Sequence, residues 1–337
     1  MARGGISATS MNAWKACKRK FFYYKTVPFD KSVPFAFGIA FEHGVENYIK
    51  TGLEKESIKM AINKFNIGMG DINKIAYRDI EKKEALKGSD VKDPVWVKYI
   101  TKKSQELVEK HINLLPEMII RCKNKLDELG VKFIQFQTIM TTFLETGVPN
   151  EGRFDGVVEM EGKKYIFELK SYKTLMSKES LQFSQQLLNY AHIAREKGFE
   201  VDGVMFCQNK KSKSEQPNLL KNGNLSTAKT QKCDPEEYWN KAVEIYGEDV
   251  PDNIIETYEE LLNKSPLVKI DILKFKDKQL DLFTKELNSI SVEIKDMVKL
   301  IKKDPVGARD LCYPNYGNAC NMCNHKLMCQ KEMLGED

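Results

Sequence analysis

The amino-acid sequence predicts an α/β fold, a single elaborated core of strands and helices with further helices inserted into it. Three observations carry that expectation. The apolar residues recur near helical spacing up to Gly130 and then switch to β-branched, aromatic, partly alternating segments. Strand-like stretches over 131–143, 156–160 and 164–170 follow one another, the last two joined by a short turn. Residues 277–303 then return to an amphipathic helical pattern and lead into a cysteine-rich tail.

The elements are justified in order along the chain. Ser7 or Ser10 caps a first helix carrying Met11, Trp14, Phe21 and Phe22, and Pro28 and Pro34 break its pattern. A second helix after Gly38 places Phe41, Val45, Tyr48 and Ile49 on one face, while His43 and Glu46, three residues apart, share another. Residues 51–130 are rich in Lys and Glu with scattered apolar positions such as Met60, Phe65, Ile112 and Ile119, and they read as a helical lobe. The turn at Glu161-Gly162 joins two strands into an antiparallel hairpin, with Asp155 and Glu168 at neighbouring strand ends. A long helix over 179–197 stops at Gly198, and 201–207 is the next strand. The polar stretch 209–232 reads as an exposed loop, followed by helices near 235–247 and 251–264 and a strand from Val268. These boundaries divide the chain into N-terminal core helices (1–50), a helical lobe (51–130), a strand-rich core (131–208), a helical insertion (209–266) and a long helix with the tail (267–337).

Composition narrows the class. Of 337 residues, 42% are apolar and 30% charged, which suits a soluble globular protein with a substantial core. No stretch approaches the roughly 18 uncharged apolar residues of a membrane span, and the start lacks an apolar signal core, so the expected location is the cytoplasm, with no membrane partner. The net charge of +5 implies no uniform polyanion-binding surface, so local lysine clusters must carry any nucleic-acid contact. Eight cysteines are too dilute for a disulfide scaffold. Three of them, Cys320, Cys323 and Cys329, crowd the end of the chain in a metal-binding layout, for which zinc and an iron–sulfur cluster are the alternatives.

The residues around the hairpin suggest hydrolysis of a phosphodiester. Such cleavage needs an in-line water and positive charge near the phosphoryl oxygens, which a hard divalent ion held by carboxylates supplies. Asp155 and Glu168 form a two-carboxylate site to which the Leu169 carbonyl adds a ligand. Lys170, two residues beyond Glu168 on a strand, projects to the same face and is placed to orient the water and stabilise the transition state.

Asp155 followed by Glu168-Leu169-Lys170 resembles the signature of the PD-(D/E)XK nuclease superfamily, with Phe154 in place of the proline. Gly38-Ile-Ala-Phe-Glu-His43-Gly is similar to the N-terminal motif of its RecB/AddB-type branch, and Gln186-Leu-Leu-Asn-Tyr190 to the motif that follows the lysine strand. The resemblance implies a restriction-endonuclease-like mixed sheet flanked by helices, Mg²⁺ or Mn²⁺ held by His43, Asp155, Glu168 and Leu169, and Gln186 and Tyr190 acting beside Lys170. It further implies that Cys17 joins Cys320, Cys323 and Cys329 around a [4Fe–4S] cluster tying the two ends of the chain together.

By the same resemblance, the expected activity is that of a metal-dependent DNA exonuclease on single strands or duplex ends, in recombination, repair or phage DNA metabolism. Its setting is a bacterial cytoplasm, with a helicase, recombinase or single-strand-binding protein as companion. The alternative is a non-catalytic iron–sulfur DNA-binding or scaffold subunit. Lys18, Arg19 and Lys20, followed by four aromatic residues, and Lys210 and Lys211 in the polar loop are the candidate DNA contacts. For most of those aromatic residues, burial in an amphipathic helix is the simpler expectation.

Overall fold

Helical spacing governs the first part of the chain, which forms α1 (Ala8–Ala16), α2 (Lys18–Thr26), α3 (Val33–Thr51), α4 (Glu54–Asn66), α5 (Ile72–Ala85), α6 (Pro94–Ile112) and α7 (Leu115–Glu128). The computed structural model describes residues 6–27, 32–67, 70–85, 87–228, 231, 233–264, 266–315, 320, 323 and 325–334. Pro28, Lys232 and the tail residues Asn318, Ala319, Asn321, Met322 and Asn324 lie outside them. Ser7 caps α1 through a reciprocal capping box with Ser10. The single helix expected over Met11 to Phe22 is in fact two, because Cys17 is extended (φ −171°, ψ 123°) and its own N–H closes the last turn of α1.

Strands β1 (Lys132–Phe143), β2 (Pro149–Met160) and β3 (Lys163–Tyr172) form an antiparallel meander. Glu161 and Gly162 both have positive φ, 52° and 73°, which is the backbone a tight two-residue hairpin requires. The long helix expected over 179–197 is split into α8 (Lys178–Gln182) and α9 (Gln185–Glu196), because Phe183 and Ser184 leave helical geometry between them. This crossover delivers β4 (Gly203–Lys210) parallel to β3, as a parallel pair demands.

Beyond β4 come α10 (Pro235–Tyr246), α11 (Asp252–Lys264), the edge strand β5 (Val268–Leu273), α12 (Asp277–Lys303), α13 (Pro305–Leu311) and α14 (Lys326–Leu334). The expected exposed loop begins later than the composition suggests. β4 runs on to Lys210, Asn209 is fully buried, and a Leu219–Leu225 bridge leads to Leu225, which packs with Tyr238, Ile254 and Leu261 in a small separate cluster.

The result is a mixed five-stranded sheet in the order β1-β2-β3-β4-β5, helices on both faces, in the α/β arrangement expected. On one face Phe37, Phe41, Phe65, Leu115 and Ile119 of α3, α4 and α7 pack against Val158, Phe167, Leu169 and Cys207. On the other, Leu187, Tyr190 and Ile193 of α9 cover Phe154, Ile166 and Phe206. A third cluster joins the chain ends, with Trp14, Phe21 and Tyr23 against Phe283, Leu287 and Ile294 of α12. Cys122 and Cys207 are both buried and face each other across α7 and β4 with sulfurs 3.9 Å apart. Among the described residues no helix is long and apolar enough to cross a membrane.

Candidate active site and cysteine cavity

The site arises where two strands separate. The β2–β3 ladder runs from Met160–Lys163 to Gly156–Phe167. One step further the Leu169 N–H donates instead to the Asp155 side chain, Oδ2 at 2.8 Å. Asp155 and Glu168 therefore do not sit at strand ends: both strands continue past them, and the fork between the strands brings the two together. The fork opens into a cavity of about 830 Å³ lined by Glu42, His43, Asp155, Glu168, Leu169, Lys170, Gln186 and Tyr190, which gathers every sequence-predicted metal and catalytic residue of the hairpin, α3 and α9.

Lys170 is the electrostatic centre. Its Nζ lies 2.6 Å from Glu168 Oε1, 3.4 Å from Glu42 Oε1 and 3.7 Å from Asp155 Oδ2. Burial opposes its charge, but the three carboxylates outweigh that and hold the ammonium well above the ordinary lysine range. Glu168 is 1% exposed, and burial, reinforced by Asp155, pushes its carboxyl up to about 8 despite the lysine. Burial likewise raises Glu42 to about 7, with Lys170 opposing the shift and Asp155 adding to it. Three carboxyl groups crowd one ammonium, and a divalent cation entering among them would favour the charged form of each.

Helix α9 braces this centre from behind. Gln186 Nε2 donates to Glu168 Oε1 and to the Tyr190 hydroxyl, each at 2.6 Å, and Tyr190 donates to the Arg153 carbonyl at 2.7 Å. Burial, with the Glu168 charge adding to it, raises the Tyr190 phenol, so the hydroxyl stays a donor. The helix can come this close because residue 152 is glycine: a Cβ there would stand 2.8 Å from Ile193 Cδ1 and 3.3 Å from Tyr190 Cδ1.

Two buried atoms in the cavity wall lack a hydrogen-bond partner, Glu168 Oε2 and His43 Nδ1. Carboxylate oxygens and an imidazole nitrogen are donors suited to Mg²⁺ or Mn²⁺, so the residues fit a divalent ion. As they stand they are not drawn into a cage, since among the described residues no group of three or more His, Cys, Asp or Glu is close enough to hold a metal ion. Glu42, Arg153 and Gln137 also line the cavity and were not singled out from the sequence. Glu42 had a signal, its place beside His43 in the same motif; the other two had none.

The four cysteines also share one cavity, although as they stand no three of them are close enough to hold a metal ion. Cys17, Cys320, Cys323 and Cys329 line a second cavity of about 130 Å³ together with Arg19, Lys20 and Tyr23. The Asn315 N–H donates to Cys17 Sγ at 3.3 Å, and burial raises the Cys329 thiol. Cys312 is buried with its sulfur 3.5 Å from Met297 Sδ.

The basic run beside Cys17 is not one exposed strip. Arg19 turns inward to pair with Glu332 at 3.1 Å, where Tyr23 also donates at 2.7 Å, and Lys18 lies 4.9 Å above the Trp14 ring. Phe21, Phe22 and Tyr23 are buried, which leaves Tyr24 as the exposed aromatic of the run. Lys211 folds over Phe37, 5.1 Å from its ring centre, and Lys210 ends β4.

Residues 5–330 match the family model described as the PD-(D/E)XK nuclease superfamily, which covers nearly the whole chain. No curated protein matches the chain significantly.

Proposed function

From the premise that this chain belongs to the PD-(D/E)XK nuclease superfamily, we propose that it is a Mg²⁺- or Mn²⁺-dependent DNA exonuclease acting on single strands or duplex ends. The observation that carries this reading is the convergence of Asp155, Glu168 and Lys170 at the strand fork, with one Glu168 oxygen buried and unpartnered in an open cavity. Asp155, Glu168, His43 and the Leu169 carbonyl would hold the ion, which when bound supplies an acidified water and charge for the phosphoryl oxygens. Lys170, charged across the neutral range, is positioned to orient the attacking water and stabilise the developing oxyanion. Gln186 fixes the Glu168 carboxylate, and Tyr190 anchors Gln186 to β2. The strand end, rather than an internal bond, as the point of attack is taken over from the RecB/AddB-type resemblance.

The cysteine cavity supports a second part of the proposal. Four soft thiol donors from both ends of the chain line it, a donor set that suits a [4Fe–4S] cluster, with zinc as the alternative. Such a group would clamp α2 to α14 and so close the third core cluster. Iron, labile sulfide and zinc assays on anaerobically purified protein separate the two metals.

End-labelled linear single-stranded, linear duplex and circular DNA, incubated with Mn²⁺, Mg²⁺ or chelator, test the activity against Lys170→Ala. Metal-dependent and Lys170-dependent loss of linear DNA alone supports the exonuclease. Digestion of circles makes the enzyme an endonuclease, and binding without cleavage under every metal condition replaces the enzyme by a DNA-binding subunit.

A further inference from the structure

Arg153 stands two residues before Asp155 on β2 and lines the same cavity, yet it is exposed and forms no ion pair among the described residues. Its position is nevertheless fixed. Its Nη2 donates to Gln137 Oε1 at 3.0 Å, while Gln137 Nε2 donates to Glu46 Oε2 at 2.7 Å. Glu46, on α3, is itself held by Lys50. The backbone carbonyl of Arg153 is the acceptor of the Tyr190 hydroxyl, so main chain and side chain are both tied to elements that build the site.

Gln137 occupies an unusual backbone. It lies between the ladder pairs Phe136–Gly156 and Thr138–Phe154, in the middle of β1, with φ at 45°. This left-handed region is one that glutamine seldom adopts and glycine adopts freely. Glycine would relieve the backbone but would supply no amide, whereas glutamine uses both ends of its amide, one toward Glu46 and one toward Arg153. Strain held at a rim position whose side chain links a helix to a cation is the pattern of a functional constraint.

We propose that Arg153 grips a backbone phosphate of the bound strand next to the phosphodiester being cleaved, and that Gln137 is its positioning residue. The inference rests on the nuclease reading of this cavity. A polyanion entering beside Asp155 meets like charge, and Lys170 is already committed to the carboxyl groups of Glu42, Asp155 and Glu168. Arg153 offers a guanidinium that, though near enough to act on the Glu42 charge, forms no close ion pair among the described residues, with the planar donor fork that matches phosphate oxygens. Because the contact is to the backbone, it is indifferent to base sequence.

The test is fluorescence anisotropy of a labelled single-stranded oligodeoxynucleotide in chelator, where no turnover occurs, over a salt series. Arg153→Ala is expected to weaken binding about tenfold at low salt and to flatten the slope of log Kd against log salt by about 0.7, the loss of one phosphate contact. Arg153→Gln, which keeps a hydrogen bond to Gln137 without the charge, should show the same flattening and guards against a folding artefact. Gln137→Gly should hold or raise Tm while weakening binding, and in cleavage assays should raise KM with kcat retained at saturation. Wild-type affinity and slope in both Arg153 variants, beside a wild type that binds, overturn the assignment and leave the nuclease reading standing. A wild type that neither binds nor cleaves overturns both.

Discussion

The carboxylate cavity and the cysteine cavity both draw together residues far apart in the chain, but they are built on different supports. The first is framed by the interiors of β2, β3, α3 and α9, and its side chains brace one another through Lys170, Gln186 and Tyr190. The second is framed by the extended joint at Cys17, by Cys320 and Cys323 outside any long element, and by the short helix α14. Ladder hydrogen bonds and two apolar sheet faces fix the carboxylates before any ligand arrives. Among the described residues the thiols have no comparable scaffold, so a metal group bound there, as proposed, is expected to contribute folding energy itself.

Breaking the two sites should therefore give opposite phenotypes. The largest effect is expected from Lys170→Ala, a loss of cleavage of about a thousandfold or more with Tm nearly unchanged. Glu168 survives that loss of its partner because a buried carboxyl without a counter-charge takes up a proton instead of unfolding the site. Activity measured against a thermal melt checks the pair of statements, and a collapse of Tm in this variant would remove the contrast.

Cys323→Ala should do the reverse, removing the bound metal and lowering stability by about 3–5 kcal/mol, the scale of a lost cross-link over a long loop. Specific activity per folded molecule, measured at low temperature, should stay near that of wild type. Equal loss of both would mean that the two cavities are not independent.

A third variant sharpens the account of the rigid side. Gly44 follows His43 on α3, and a Cβ there would lie 2.5 Å from Ile119 Cδ1 and 2.8 Å from Ala61 Cβ. Gly44→Ala should cost about 1–3 kcal/mol in denaturant unfolding by overpacking α3 against α4 and α7. Metal content at the cysteines should not change. The smallest effect is expected from Cys312→Ala, about 1 kcal/mol for the lost buried sulfur with iron content retained, because Cys312 packs on Met297 outside the thiol cavity. Loss of iron in this variant would redraw the ligand set.

Much of the candidate site was legible before any fold was known. His43, Asp155, Glu168, Lys170, Gln186 and Tyr190 were each marked by residue type at a characteristic spacing, and they line one cavity. Cys17 was marked in the same way, and it lines one cavity with the tail cysteines. Glu42 was half legible, adjacent to a motif histidine but lost among many surface glutamates. Arg153 and Gln137 were not legible, since an arginine in a polar strand and a glutamine in an aromatic one are ordinary until the strands are paired.

The surroundings of the basic run after Cys17 were likewise a tertiary outcome. Arg19 reads as a solvated cation in sequence, but the C-terminal helix returns beside it and brings Glu332 within 3.1 Å.

By itself the sequence determined the period of most elements, the hairpin at Glu161-Gly162 and which carboxylates and thiols are candidate donors, because spacing, turn chemistry and residue type are local properties. Only the tertiary structure decided where β2 and β3 part, that Glu42 joins the carboxylates around Lys170, and that Gln137 takes a left-handed backbone to hold Arg153. Those outcomes depend on which strands pair, how far each ladder runs and how closely α9 approaches Gly152, and such long-range registers are set by the packing of the whole core.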